Sequence, residues 1–240
     1  MANPTILIVP GSFAGPGIYD NIVTLLRKQG YPAFAVQLPS TQKRMPLEPA
    51  GMQEDASVIR RAAEALLALG REIIVLCHSY GGTPATEGLA GLAVKRIIYL
   101  TAIAPKVGQN HVEAMALPEG FLPESTGGYM HMDAVQMAGA IRNDLPYEEA
   151  YPFALQLPYH SAISFQEPIT QAAYKTIPVS YIVCERDMII NPDTQRRFIK
   201  TIEEESGREV DVFGLDSGHC PNWSQPEKLV EIIVTNADKQ

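Results

Sequence analysis

Cysteine is scarce in this chain, with three in 240 residues. Cys77, Cys184 and Cys220 make neither an even disulfide framework nor a paired metal-ligand spacing, and two of them lie in apolar runs, so reduced, buried thiols are expected. Long hydrophobic runs are missing too. No stretch approaches about 18 uninterrupted apolar residues, the length a spanning helix needs. The first residues carry no basic start, no extended apolar segment and no small-residue cleavage pattern, which leads to an expectation of a cytoplasmic protein. Basic residues are the third shortage. The 19 Lys and Arg against 27 Asp and Glu leave a formal charge of −8, with no attraction for phosphate backbones or anionic lipid. Neither nucleic acid nor a membrane is an expected partner. A homodimer is left open.

The chain has enough apolar residues for a packed core: 46% are hydrophobic and 19% charged, the balance of an ordinary globular protein. Its length suits one α/β domain over residues 1–240. Short apolar runs rich in β-branched residues recur at Thr5 to Val9, Ala33 to Leu38, Glu72 to Cys77, Arg96 to Thr101, Val179 to Cys184 and Glu209 to Phe213. None alternates as a half-exposed strand would, which predicts buried parallel strands. Helical spacing fills the intervals. Met52, Ala56, Ile59, Ala63 and Leu66 share one face and stop before Gly70. Asn191 before Pro192 predicts an N-cap, and Ser224 with Glu227 predicts a capping box opening the last helix.

This alternation predicts a doubly wound, mainly parallel α/β sheet. One interval breaks it. Residues 105–175 hold prolines, tyrosines and methionines with no clear strand, and are expected to form a small inserted cap over the carboxyl edge of the sheet, where open α/β sheets bind ligands.

The chemistry concentrates at Cys77-His78-Ser79-Tyr80-Gly81-Gly82, a buried strand running through a serine with small neighbours into a helix. A serine at such a bend is exposed at the sheet edge, with a helix N-terminus aimed at it. Taken alone, it has a minority alternative as a helix N-cap after a strand. The segment resembles the nucleophile elbow of α/β-hydrolases, G-x-S-x-G, with Cys77 in place of the first glycine. That resemblance implies a histidine base and an acid that orients it. Leu215-Asp216-Ser217-Gly218-His219 resembles the family's histidine loop, and Cys184-Glu185-Arg186-Asp187 its acid turn, giving the family order Ser79, Asp187, His219. Glu185 and Asp216 are rival acids. His78, His111, His131 and His160 lack the motif context. Pro10-Gly11-Ser12-Phe13 resembles the oxyanion loop, implying backbone donors at Ser12 and Tyr80.

Nearly the whole chain resembles the compact group containing plant methylesterases, hydroxynitrile lyases and related bacterial and fungal esterases. The lyases carry a threonine in the oxyanion loop and a lysine after the catalytic histidine. Here Gly11 and Cys220 stand there, and a neutral thiol cannot replace the lysine charge. The resemblance therefore implies a cofactor-free and metal-free serine hydrolase acting on a small neutral ester or lactone. The alternatives are a lyase or carbon–carbon hydrolase using the same triad, and a small-molecule receptor that does not turn its ligand over. Phe13, Tyr129, His131, Tyr159 and His160 are the expected substrate contacts, from an apolar cap that also holds Met130, Met132 and Phe153.

Overall fold

The apolar runs become strands in the order expected. Along the chain come β1 (Thr5–Val9), α1 (Asp20–Lys28), β2 (Ala33–Ala35), α2 (Met52–Ala68), β3 (Ile73–His78), α3 (Gly82–Gly88) and β4 (Arg96–Leu100). The segment after β4 carries α4 (His111–Met115), β5 (Ser125–Thr126), β6 (Tyr129–Met130), α5 (Ala134–Ile141), α6 (Tyr147–Ala154) and β7 (His160–Ser161). The chain then returns through β8 (Val179–Cys184), α7 (Pro192–Ser206), β9 (Asp211–Leu215), α8 (Pro221–Ser224) and α9 (Pro226–Ala237). This computed structural model describes residues 2–118, 120, 122–237 and 239. Within them no helix is long and apolar enough to cross a membrane.

The main sheet has the order β2-β1-β3-β4-β8-β9, and every pairing in it is parallel. Strand alternation sends Ile6, Ile8, Ile74, Leu76, Ile98 and Leu100 to one face, where they pack against α1 and α9 through Ile22, Leu26, Leu229 and Ile233. Leu7, Val9, Val75, Cys77, Ile97 and Tyr99 face the other way, onto Met52 and Ile59 of α2 and Phe198 of α7. Covered faces on both sides explain the unbroken apolar runs. Each such side chain contributes about 1.5–3 kcal/mol by leaving water.

β9 departs from expectation. It lies two residues later than predicted, and its exposure alternates until Leu215. Its place at the sheet edge is the reason, since only one side of it is paired. The capping box at Ser224 is also absent: Ser224 ends the one-turn α8, and its hydroxyl donates to Asp144 Oδ2 at 2.6 Å. Asn191 does cap α7, accepting from Thr194 N at 2.9 Å.

The segment between β4 and β8 contains strands after all. β5, β6 and β7 form a small antiparallel sheet, whose two-residue strands are too short to leave a periodicity. Gly127 and Gly128 join β5 to β6, both at positive φ, the conformation of a tight hairpin turn. α5 and α6 pack on each other through Ala138, Ala150 and Ala154.

Because β1 and β3 are neighbours while the chain leaves them in opposite directions, their carboxyl ends flank the switch point of the sheet. That is the crevice where a doubly wound sheet can admit a ligand.

Candidate active site

Ser79 follows β3 directly and adopts φ 55°, a left-handed conformation costing a non-glycine residue about 1–2 kcal/mol. Its neighbours hold it there. A Cβ on Gly81 would sit 2.4 Å from Pro10 O, and one on Gly82 would sit 2.3 Å from Ile103 O. The elbow therefore threads between the ends of β1 and β4 where only glycine fits. Ile103 N donates to Ser79 O at 3.1 Å. Cys77, at the departed glycine position, is fully buried on a sheet face, its thiol 3.6 Å from Ile98 O.

His219 arrives on the loop after β9 and Asp187 on the turn after β8. His219 Nε2 lies 3.0 Å from Ser79 Oγ, and His219 Nδ1 lies 2.7 Å from Asp187 Oδ2. All three side chains are buried. Asp187 Oδ2 also accepts from Thr101 Oγ1 at 2.5 Å, while its Oδ1 accepts from the backbone of Ile189 at 2.7 Å and Ile190 at 3.0 Å. Burial alone would raise this carboxyl, but His219, Thr101 and the Ile189 N–H together hold it below the usual carboxylate range. The rival acids are engaged elsewhere: Glu185 pairs with Arg196 at 2.8 Å, and Asp216 with Arg186 at 2.7 Å.

Two connections were not anticipated from the sequence. The Tyr19 hydroxyl accepts from Gly11 N at 3.0 Å and lies 2.8 Å from His78 Nδ1, while His78 Nε2 lies 2.8 Å from His219 O. Only one tautomer satisfies every partner: the proton sits on His78 Nε2, and Tyr19 donates to Nδ1. Burial, and then the adjacent His219, push the His78 imidazole down to about 3, so it stays neutral and ties the Gly11 loop to the His219 loop. Second, Tyr80 sends its side chain away from the serine, its hydroxyl donating to Asp55 Oδ2 at 2.8 Å. Ser40 N donates to Asp55 Oδ1 at 2.9 Å. Asp at a helical core position next to Ala56 was the available signal.

Gly11 would place a Cβ 3.0 Å from Ser79 Cβ, so the loop after β1 closes directly on the serine. Gly11 N is taken by Tyr19, and Phe13 N by His160 Nδ1 at 3.4 Å. The Ser12 N–H between them has no protein acceptor among the described residues. Tyr80 follows Ser79 in the elbow turn.

A cavity of about 30 Å³ adjoins the serine, lined by Ser12, Tyr19, His78, Ser79 and His219 below and by Ile18, Ile141, Phe153, Leu157 and Cys220 above. Phe153 is thus on the wall. The five expected substrate contacts are not. Phe13 is buried in the core and packs on His160, with ring centroids 5.1 Å apart. His160 spends Nδ1 on Phe13 N and Nε2 on Ser164 Oγ, 3.0 Å away. Tyr129 is buried in β6, its hydroxyl accepting from Arg44 N at 3.3 Å. His131 and Tyr159 are exposed and pack on each other. Tyr129 and His160 thereby hold the segment's own small sheet to the main body. The wall comes instead from the α5–α6 pair and the stretch after it.

The model for the alpha/beta hydrolase family matches residues 6–232. Probable hydrolase R7 of Phoma sp. is 52% identical, with 99% of each chain covered. Among solved structures, a pyrethroid hydrolase from Sphingobium faniae superposes with a TM-score of 0.79 at 24% identity, covering 98% of this chain and 97% of that one. Polyneuridine aldehyde esterase does so at 0.78 with 17% identity, covering 98% and 100%. With its parallel sheet, elbow and matched span together, the chain belongs to the alpha/beta hydrolase family and is a hydrolase.

Proposed function

We propose that the protein cleaves a carboxylic ester or lactone through an acyl-enzyme on Ser79. The observation that carries this reading is the continuous chain Ser79 Oγ to His219 Nε2 to Asp187, at 3.0 and 2.7 Å. Asp187 keeps the proton on Nδ1, so Nε2 is free to accept the Ser79 proton as Oγ attacks the carbonyl carbon. The oxyanion draws on the N–H groups of Ser12 and Tyr80 and on the N-terminal turn of the elbow. His219 then returns the proton to the leaving alkoxide. Water, deprotonated by the same imidazole, releases the acid and regenerates Ser79.

The apolar upper wall of Ile18, Ile141, Phe153 and Leu157 suits a reacting end that is uncharged, and residues 105–175 act as the cap that encloses it. A lyase reading has less support. Cys220 lines the cavity where such chemistry calls for a cation, and burial pushes its thiol up to about 12, leaving it neutral.

The test is active-site labelling with a fluorophosphonate and turnover of aryl esters by wild type and Ser79→Ala. Labelling and ester turnover should both vanish in the variant while its circular dichroism is unchanged. Labelling at the wild-type rate would remove Ser79 from the role.

A further inference from the structure

Arg142 follows the last residue of α5 and is only 1% exposed, yet its Nε, Nη1 and Nη2 all lack a hydrogen-bond partner among the described residues. Its guanidinium carbon lies 3.4 Å from the Phe153 ring centroid and 4.4 Å from that of Trp223, two rings tilted by 46° to each other. Contact of this kind offsets part of the desolvation cost but engages none of the N–H donors. A guanidinium carries five donors in a planar fork, and leaving them unmet in the interior is costly. Asp144 and Glu149 are near enough to raise its basicity, but neither forms an ion pair with it among the described residues; Asp144 Oδ2 is occupied by Ser224, and Asp144 Oδ1 is buried without a partner among them. Burial lowers the group to about 10, so it remains a cation at neutral pH.

The same residues border the active site. Ile141, immediately before Arg142, lines the cavity at Ser79, as do Phe153, whose ring the guanidinium covers, and Cys220. That cavity, at about 30 Å³, holds roughly one water. Phe153 lines that cavity and also touches the guanidinium, so displacement of its ring by a bound substrate would open the guanidinium to the same space.

We infer that Arg142 is the recognition site for a carboxylate carried by the substrate at the end remote from the scissile carbonyl, the fork of donors pairing with its two oxygens. This rests on the hydrolase reading above and extends it. Unlike the neutral substrate expected from the sequence, such a substrate has a reacting end that is apolar and uncharged and a distal end that is anionic. The charge would also set substrate choice. An analogue lacking the carboxylate leaves the donors unmet, whereas one bearing it completes them.

Trp223 is the only tryptophan in the chain, and its contact with the guanidinium makes its fluorescence a direct reporter. In the Ser79→Ala protein, which binds without turnover, benzoate and its neutral isostere benzamide are titrated while Trp223 emission is followed. Benzoate should bind about 10- to 100-fold more tightly than benzamide, the range for a charged hydrogen-bonded pair. Arg142→Met should abolish that preference, and Arg142→Lys should keep part of it, because a lysine retains charge without the fork. Equal affinities for the two ligands, or a preference that survives in Arg142→Met, would overturn the inference and leave the esterase reading standing. Persistent fluorophosphonate labelling of Ser79→Ala would instead overturn the Ser79 assignment on which the inference rests, whatever the two ligands show.

Discussion

Asp187→Asn replaces one oxygen by nitrogen, and the surrounding donors decide where that nitrogen goes. Asp187 Oδ1 accepts from two backbone N–H groups, Ile189 and Ile190, so the amide oxygen must take that side. The NH₂ group is then turned toward Thr101 and His219 Nδ1, at the site of the present 2.5 and 2.7 Å contacts. An amide there donates to Nδ1 and drives the imidazole proton onto Nε2, which now faces Ser79 Oγ as a donor. The base is lost although no side chain has moved. For a triad of this kind the same exchange lowers kcat about 10⁴-fold, equivalent to about 5.5 kcal/mol of activation free energy. The assay is aryl-ester hydrolysis at neutral pH, with near-ultraviolet circular dichroism to establish that the core is intact. A variant within about tenfold of wild type would mean that Asp187 does not set the tautomer, and Glu185 or Asp216 would have to be reconsidered.

Tyr19→Phe removes the hydroxyl that receives Gly11 N and serves His78 Nδ1. Leaving those buried groups unmet should cost about 1–3 kcal/mol in urea unfolding and lower kcat more than it raises KM, and unchanged values would mean the loop-to-loop tie has no energetic content. Asp55 gives a pH-dependent case. Burial raises its carboxyl from 3.8 to about 6 against the opposing hydrogen bonds of Ser40 and Tyr80, so the folded protein binds this proton more tightly than the unfolded chain does. Stability is therefore lost as pH rises from about 4 to 6. Asp55→Asn escapes that loss, so the stability of the variant relative to wild type should climb across this window by up to about 3 kcal/mol, at 1.36 kcal/mol per unit of pKa. A difference that stays flat from pH 4 to 7 would refute the raised carboxyl.

What could be read from the sequence divides according to how tightly the backbone constrains the residue. The strands were legible because a strand covered on both faces must be apolar at every position, as β1, β3 and β8 are, whereas the edge strand β9 had no such pressure and was misplaced by two residues. Ser79, Asp187 and His219 came together as expected for the same kind of reason: each sits at a strand end where the local chain has few options, and Gly81 and Gly82 report contacts that exclude any Cβ. The cavity wall carried no comparable signature. Residue type made Tyr129, His131, Tyr159 and His160 look like ligand contacts, but the hairpin turn at Gly127–Gly128 and the pairing of β6 with β7 set Tyr129 and His160 against Arg44 and Phe13 of the main body and leave His131 and Tyr159 exposed. The wall fell instead to ordinary apolar residues, Ile18, Ile141 and Leu157, beside Phe153. Arg142 drew no reading from the sequence. An arginine among acidic neighbours has no local feature that marks it as buried, and only the packing of Phe153 and Trp223 against its guanidinium makes it a buried cation with donors to spare. On the esterase reading, specificity would depend on how α5 and α6 settle over the sheet edge that carries Ser79, His219 and Asp187. A change in that packing could alter which ester is accepted while the distances among Ser79, His219 and Asp187 stay as they are.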